Sequence, residues 1–430
     1  MFDLSKYTGH GRAPFLSFGE VISNNGTTIC SKGPRSRVGD VVEVGKGKSL
    51  CEVISVSSNL ITMTPYSFTR SIEVGDRVVK KERGLRMKHP SAFVGKVING
   101  FGESLEGDYD IPYEEKVELS LYGAIPNALH RRRIQTPFET GVKAIDATLT
   151  MGEGQRIGIF AGTGVGKTTL LSMIARNAAS DINVIALIGE RGREVREFIE
   201  KNLGEEGMKR SILVVSTSDE GALMHIRASQ LAMSIAEYFR DQGQNVLFMM
   251  DSISRFAMAK REVDIARGEM PLGGKTPSME PAMQRLLERA GTSDRGVITG
   301  IFTVLVEGDD FEGVIPDTAR GILDGHIVLD RKLAAHNHFP AINVLDSISR
   351  VMEDVSDEKH WAMNRVFRKY YALYKQNEDS FMFGAYQQGR NQELDMAYLL
   401  YPKLSKFLQQ DVTETYAFKD SLEQLEEVLK

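Results

Sequence analysis

The sequence predicts an α/β protein with a mostly parallel sheet, preceded by a small β-barrel and followed by a helical domain. Three observations carry this expectation. Short alternating segments fill residues 15 to about 85; apolar runs followed by amphipathic stretches fill roughly 90 to 350; and the strand-like runs stop after 350.

Within the first region, "FGEVIS", "TTICS", "DVVEV", "CEVISV" and "LITMTP" are separated by Gly, Asn, Pro and Ser. Many short strands at close spacing suggest a barrel. The charged stretch "KKERGLRMKHP" breaks the alternation and ends at Pro90, which sets a first domain over residues 1–88. The core, expected over 89–350, reads as buried strands in "QRIGIF", "NVIALIGE", "SILVVSTS", "NVLFMMDS" and "ITGIFTVLVEG". Between them Leu223, Ile226, Leu231, Ile235 and Phe239 recur near helical spacing. In the last domain, 351–430, Met363, Phe367, Tyr370 and Tyr374 fall on one helical face.

A chain of 430 residues exceeds what one core usually organises. With 42% hydrophobic and 26% charged residues it is of ordinary globular composition, and its net charge of -5 argues against a surface built to grip nucleic acid. Cys30 and Cys51 lack the number and spacing of a disulfide framework or a zinc site, as in a protein of the reducing cytoplasm. The opening "MFDLSKYTGHGRAP" carries no secretory pattern, and the apolar run "GVITGIFTVLVEG" is too short to span a bilayer. Direct membrane insertion is therefore not expected, and any membrane association comes through partners.

The chemistry concentrates in "FAGTGVGKTTLL". Gly162, Thr163, Gly164, Val165, Gly166, Lys167, Thr168 and Thr169 match a phosphate-binding loop, with Ala161 where the first glycine of G-x-x-x-x-G-K-[ST] is expected. Glycines let backbone N–H groups curl around anionic oxygens at a helix N-terminus. Lys167 would reach the β and γ phosphates of ATP, and the Thr168 hydroxyl would bind Mg²⁺. Asp251, at the end of "NVLFMMDS", is placed to hold the same Mg²⁺, although Asp-Ser before a helix also reads as a cap. In "IGERGRE", Glu190 is the candidate to polarise an attacking water, with Arg191 orienting it. The alternative is a solvated helix start with a surface Glu–Arg pair.

"GERGREVREFIE", "MDSISRFAMAKRE", "RLLERAG", "TVLVEGDD", "ILDGHIVLDRKLA" and "HFPAINVLDSISRV", with the glycine loop, resemble the ATPases that energise type III protein export in flagella and injectisomes. These are similar in turn to the catalytic subunits of rotary ATP synthases. The resemblance runs from 94 to 410 and implies a RecA-like core. It implies that Glu190 is the catalytic carboxylate, that Arg350 is an arginine finger offered to a neighbouring subunit, and that Phe339 and Phe418 flank the adenine ring. It also implies a homohexamer at the cytoplasmic face of the inner membrane export apparatus, with stator and central-stalk proteins, export chaperones and cargo as partners. The flagellar branch looks closer than the injectisome branch. Two departures stand out: "PLGGKTPSMEPAM" replaces a G-Y-P-P-S-V-F-like loop expected to meet the stalk, and the segment expected to bind a stator is reduced to "MFDLSKYTGHGRAP". A hexameric RNA translocase on the same fold would mark its barrel with basic and aromatic residues, here Phe18, Tyr66 and Phe68. A non-catalytic nucleotide-binding subunit would lack the acid at Glu190.

Overall fold

The alternating segments before residue 85 close into a barrel. In the computed structural model, which describes residues 18–67, 72–81, 85–107, 116–306, 308 and 310–430, the chain divides into two compact units, residues 1–83 and 84–430. The N-terminal "MFDLSKYTGHGRAP" and Phe68 lie outside the described residues.

The first unit holds β1 (Phe18–Asn24), β2 (Ile29–Lys32), β3 (Val41–Val44), β4 (Ser49–Ser57), β5 (Leu60–Pro65) and β6 (Arg77–Lys80), in the closed order β1-β2-β5-β4-β3-β6. Closure leaves no unpaired sheet edge. The inward positions of the alternation, among them Val21, Ile29, Val42, Val53, Met63 and Val78, form its core. Cys51 is buried there, Cys30 is half-buried, and both are free thiols. Of the aromatics that would mark a nucleic-acid surface, Tyr66 is buried with its hydroxyl donating to Glu52 Oε2 at 2.6 Å. Phe18 is exposed, with the Arg77 guanidinium 4.4 Å above its ring.

The second unit begins earlier than the break at Pro90 suggests. β7 (Leu85–Lys88) pairs with β9 (Lys116–Leu119), and β8 (Lys96–Ile98) is already the edge of the main sheet. After β10 (Pro137–Phe138), α1 (Lys143–Thr148) and β11 (Met151–Gly152) come the alternating units: β12 (Arg156–Ala161), α2 (Lys167–Asn177), β13 (Ile182–Glu190), α3 (Gly192–Glu197), α4 (Gly204–Lys209), β14 (Ser211–Thr217), α5 (Ala222–Asp241), β15 (Asn245–Asp251), α6 (Ile253–Ala266), α7 (Met279–Leu287), β16 (Gly291–Thr292), β17 (Val297–Leu305), α8 (Val314–Ile322), β18 (Gly325–Leu329), α9 (Arg331–Ala335) and β19 (Ile342–Ser349). The sheet runs β19-β18-β12-β17-β15-β13-β14-β8 and is parallel except for β19, with short β16 antiparallel on β17. Buried on both faces, its strands read as continuous apolar runs. On α5 the expected stripe of Leu223, Leu231, Ile235 and Phe239 is buried, with Ile226 half-buried.

The helices after 350, expected as a domain over 351–430, lie in the same compact unit as the sheet and pack against it. α10 (Met352–Val355), α11 (Glu358–Gln376), α12 (Glu378–Met382), α13 (Gln392–Phe407) and α14 (Phe418–Leu429) follow β19. Phe367, Tyr371, Leu404, Phe407 and Leu425 join one apolar cluster with Ile145, Ile159 and Val344 of the core. Truncating a fully buried ring such as Phe367 costs about 3–5 kcal/mol, and here it would weaken sheet and helices together. Among the described residues no helix is long and apolar enough to cross a membrane.

Candidate active site

Four neighbouring strands, β12, β17, β15 and β13, run parallel and end at one edge of the sheet. β12 stops at Ala161, which is fully buried and paired with Leu305 and Leu329. The departure from glycine at this position is explained: Ala161 is still strand, and the turn begins after it. Gly164 (φ 77°) and Gly166 (φ 92°) adopt the left-handed conformation that side chains disfavour. Between them Val165 is buried and anchors the loop. α2 then starts at Lys167, so its first N–H groups and positive dipole end face the loop.

The Lys167 ammonium lies 2.5 Å from Asp251 Oδ1 and 3.6 Å from Glu190 Oε1. Registry explains the convergence. Leu187 pairs with Asp251 across β13 and β15, so Glu190 sits three positions further along its strand, past a bulge at Gly189 (φ 70°). Thr303 on β17 donates its hydroxyl to Asp251 Oδ1 at 2.7 Å. The helix cap is supplied by the next residue: Ser252 Oγ accepts from the Arg255 N–H. Asp251 is thereby released from capping and faces Lys167.

Burial first, then the Asp251 carboxylate, pushes the Glu190 carboxyl up to about 7, with the Lys167 ammonium opposing. For Lys167, burial works to lower the pKa, and Asp251 and Glu190 outweigh it, so that the ammonium is held above its ordinary range. Two carboxylates and one cation thus share a pocket. Removing one partner of such a buried pair typically costs about 3–5 kcal/mol.

Arg191 does not join them. Its side chain is 81% exposed and faces Glu194 at 3.8 Å, the solvated pairing that the helix start also allowed. Phe339 does lie at the site: a Cβ on Gly166 would be 3.6 Å from its ring. From there a cleft of about 860 Å³ extends past Lys143, Lys403, Phe407, Gln410 and Tyr416. Phe418 is elsewhere, packed edge-on against His360 at 5.9 Å. Besides Phe407, an aromatic that shares the cleft with Phe339 is Tyr416, two residues before Phe418, with the Lys143 ammonium 4.6 Å from its ring centre.

Arg350 lies at the opposite edge of the sheet. Gly325 pairs with Ser349, while Leu329 at the other end of β18 pairs with Ala161, so about 13 Å of strand separates Arg350 from its own phosphate loop. Its exposed guanidinium makes no ion pair among the described residues and donates one hydrogen bond, to the Arg320 carbonyl at 3.3 Å.

Sequence reasoning missed Thr303, Tyr416 and Gln410. A threonine inside "GIFTVL" and a glutamine in "FLQQ" carry no motif; only long-range packing brings them to the site.

The ATP synthase alpha/beta family nucleotide-binding domain matches residues 141–349. The C-terminal domain of the type III secretion ATPase EscN matches 356–427. A flagellum-specific ATP synthase of Bacillus subtilis (strain 168) is 48% identical over 95% of this chain and 94% of its own length. The assembled ATPase EscN of the enteropathogenic E. coli type III secretion system superposes with a TM-score of 0.91 at 42% identity, covering 96% of this chain and all of that one. EscN in complex with its central stalk EscO superposes at 0.89 and 41% identity, with the same coverage. On sequence and fold together, the chain belongs to the type III export ATPases of the ATP synthase alpha/beta family.

Proposed function

We propose that this chain is a Mg²⁺-dependent ATPase that energises protein export through a flagellar-type type III apparatus. The observation that carries the catalytic part is the buried meeting of Lys167, Asp251 and Glu190 at the end of a glycine loop. Backbone N–H groups from Gly162 to Lys167, with the Thr168 and Thr169 turn of α2, hold the phosphates. Lys167 moves from Asp251 to the β and γ phosphates when nucleotide enters, and Glu190, deprotonated, orients and polarises the attacking water.

The residues present fit the metal. Thr168 and Asp251 offer the hard oxygen donors that Mg²⁺ takes, and Asp251 already holds a cation in the Lys167 ammonium. Among the described residues no three His, Cys, Asp or Glu side chains cluster as a metal cage, which suits an ion shared with nucleotide phosphates. Bound there with ATP, Mg²⁺ supplies neutralisation of the charge on the transferring phosphoryl group. Phe339 and Tyr416 are the apolar walls for the adenine ring; this reading replaces Phe418 by Tyr416.

Arg350 completes the site of a neighbouring copy, because it is exposed and remote from its own phosphate loop. A homohexameric ring follows, as for the assembled EscN to which the chain is similar. The exposed Leu272, in the loop where this chain departs from the family pattern, and Met270 just before it are the apolar contacts for a central stalk protein. The higher identity to a flagellum-specific relative than to EscN favours the flagellar apparatus. Work is done at the cytoplasmic face of the inner membrane, on cargo and its chaperones.

Glu190→Gln tests the mechanism. ATP affinity should persist while turnover falls by about 10²–10⁴; near-normal turnover removes Glu190 from the reaction. A deletion strain should lose swimming and flagellin export, and intact export in that strain would leave only the ATPase reading.

A further inference from the structure

Among the segments that line the cleft beside Phe339 are the start of α1 at Lys143, the stretch containing Phe339, and the stretch from 409 to 416 that carries Tyr416, with the ends of α13 and α14 completing it. One residue, Gln410, ties the first three of these together. The backbone N–H of Gln410 donates to the Phe339 carbonyl at 2.9 Å. Its side-chain oxygen accepts from the Lys143 N–H at 2.8 Å. Its side-chain nitrogen donates to the Gly141 carbonyl at 2.9 Å and to the Glu414 carbonyl at 3.0 Å. The side chain is 5% exposed, so these bonds form away from competing water.

We infer that Gln410 is the positioning residue that sets the base-side wall of the nucleotide cleft, holding Tyr416 and Lys143 opposite Phe339. The inference rests on the reading of this cleft as the base site. Gln410 does not touch the phosphates or the reacting atoms; it acts through the turn at Gly141 and Lys143 and through the loop leading to Tyr416. Gly141 has φ 73° and no room for a side chain, since a Cβ would come 2.5 Å from Asn177 Cβ and 3.0 Å from Thr415 Oγ1. The wall is thus seated on the far end of α2, the helix that begins at the phosphate loop. Arg176 near that end donates separately to the Val412 carbonyl at 2.7 Å, so α2 keeps a tie to the loop when Gln410 is changed.

A wall that contacts the base binds ground state and transition state alike, and its loss raises KM with little change in kcat. Gln410→Met keeps the volume and removes all three side-chain hydrogen bonds. Steady-state ATP hydrolysis by the assembled full-length protein should show KM raised about tenfold with kcat within about twofold. Inorganic tripolyphosphate, which has no base, should inhibit wild type and variant equally. Gln410→Glu, which keeps the acceptor for the Lys143 N–H and loses both donors, should raise KM for ATP in the same direction and serves if the methionine variant does not fold.

Phe339→Ala separates the two layers of the argument. If it raises KM for ATP while folded Gln410 variants do not, the positioning role is wrong and the base site stands. If it leaves KM for ATP unchanged, the base site is misplaced and the inference falls with it. Equal weakening of ATP and tripolyphosphate in the Gln410 variants, with a lowered Tm, would make Gln410 a general structural residue and overturn the proposal.

Discussion

At the C-terminal edge of the parallel strands, Lys167 meets Asp251 and Glu190 at 2.5 and 3.6 Å in a largely buried cluster. At the other edge, the Arg350 guanidinium is exposed and touches one carbonyl. The first site brings a cation and two carboxylates together in one chain, the set that the proposed reaction needs. The second has a strong, permanently charged donor with almost nothing to do. An arginine so placed makes sense as half of a site. On the proposed reading, the chain carries the two halves of one reaction on opposite edges of one sheet, which a second copy joins.

The largest test of that contrast is Arg350→Ala. An arginine on the transition-state charge is worth roughly 10³ to 10⁵ in rate in phosphoryl-transfer systems. Turnover of the assembled protein should fall by that order with ATP affinity nearly unchanged, and specific activity should lose its rise with protein concentration. Mixing Arg350→Ala with Lys167→Ala chains should restore part of the activity, since some interfaces then join an intact phosphate site to an intact arginine. Demonstrated mixed rings without recovery would return Arg350 to a purely structural role.

The two edges also differ in how far the sequence discloses them. The glycine loop, Glu190 and Asp251 were legible because each is marked locally, by a run of apolar residues ending in a polar one. That local pattern also implies a parallel sheet, whose strand ends necessarily share an edge. Arg350 carried no local mark and was suggested by resemblance alone. β18 and β19 went unread as strands: β19 is half-exposed and antiparallel, so its pattern is neither a continuous apolar run nor a helix stripe. That Tyr416 rather than Phe418 lines the cleft follows from where α14 begins. α14 starts at Phe418 and turns that ring toward His360, which no spacing argument discloses. Arg191 is adjacent to Glu190 in sequence, but the chain leaves the sheet there and its side chain faces Glu194 in solvent.

A smaller perturbation asks whether the buried cluster is as preorganised as its distances imply. Thr303→Val removes the hydroxyl that donates to Asp251 Oδ1 at nearly constant volume. Groups that orient a metal-binding side chain typically change metal affinity by about 10–100-fold. The free Mg²⁺ needed for half-maximal activity should rise accordingly, with kcat at saturating Mg²⁺ much less affected. An unchanged Mg²⁺ dependence would show that the Asp251 carboxylate is held well enough by its strand.

The last test reads the same cluster through protons. In the nucleotide-free chain the Glu190 carboxyl is pushed up to about 7, from an ordinary 4.5, first by burial and then by Asp251. As the water-polarising group it must be ionised, so kcat/KM, which reports the free enzyme, should fall about tenfold per pH unit below 7. Stability runs the other way. A carboxyl whose folded pKa is raised contributes stability that is fully present below about 4.5 and is lost as pH rises through about 7. The fully buried Asp146, also pushed up to about 7 and chiefly by burial, adds a slope of the same sign. Glu190→Gln separates the two contributions: it should flatten the difference in Tm that belongs to Glu190, leave the Asp146 part, and abolish the pH limb of the residual activity. Arg350 sets the contrast, because it lies exposed at the other edge of the sheet. Arg350→Ala should lower the whole kcat/KM profile without moving the limb near 7. A limb that shifted in Arg350→Ala, measured on the assembled protein across pH 5 to 9, would mean that a neighbouring copy's arginine already senses Glu190 before nucleotide binds, and the reading that it acts only on the transition-state charge would have to be abandoned.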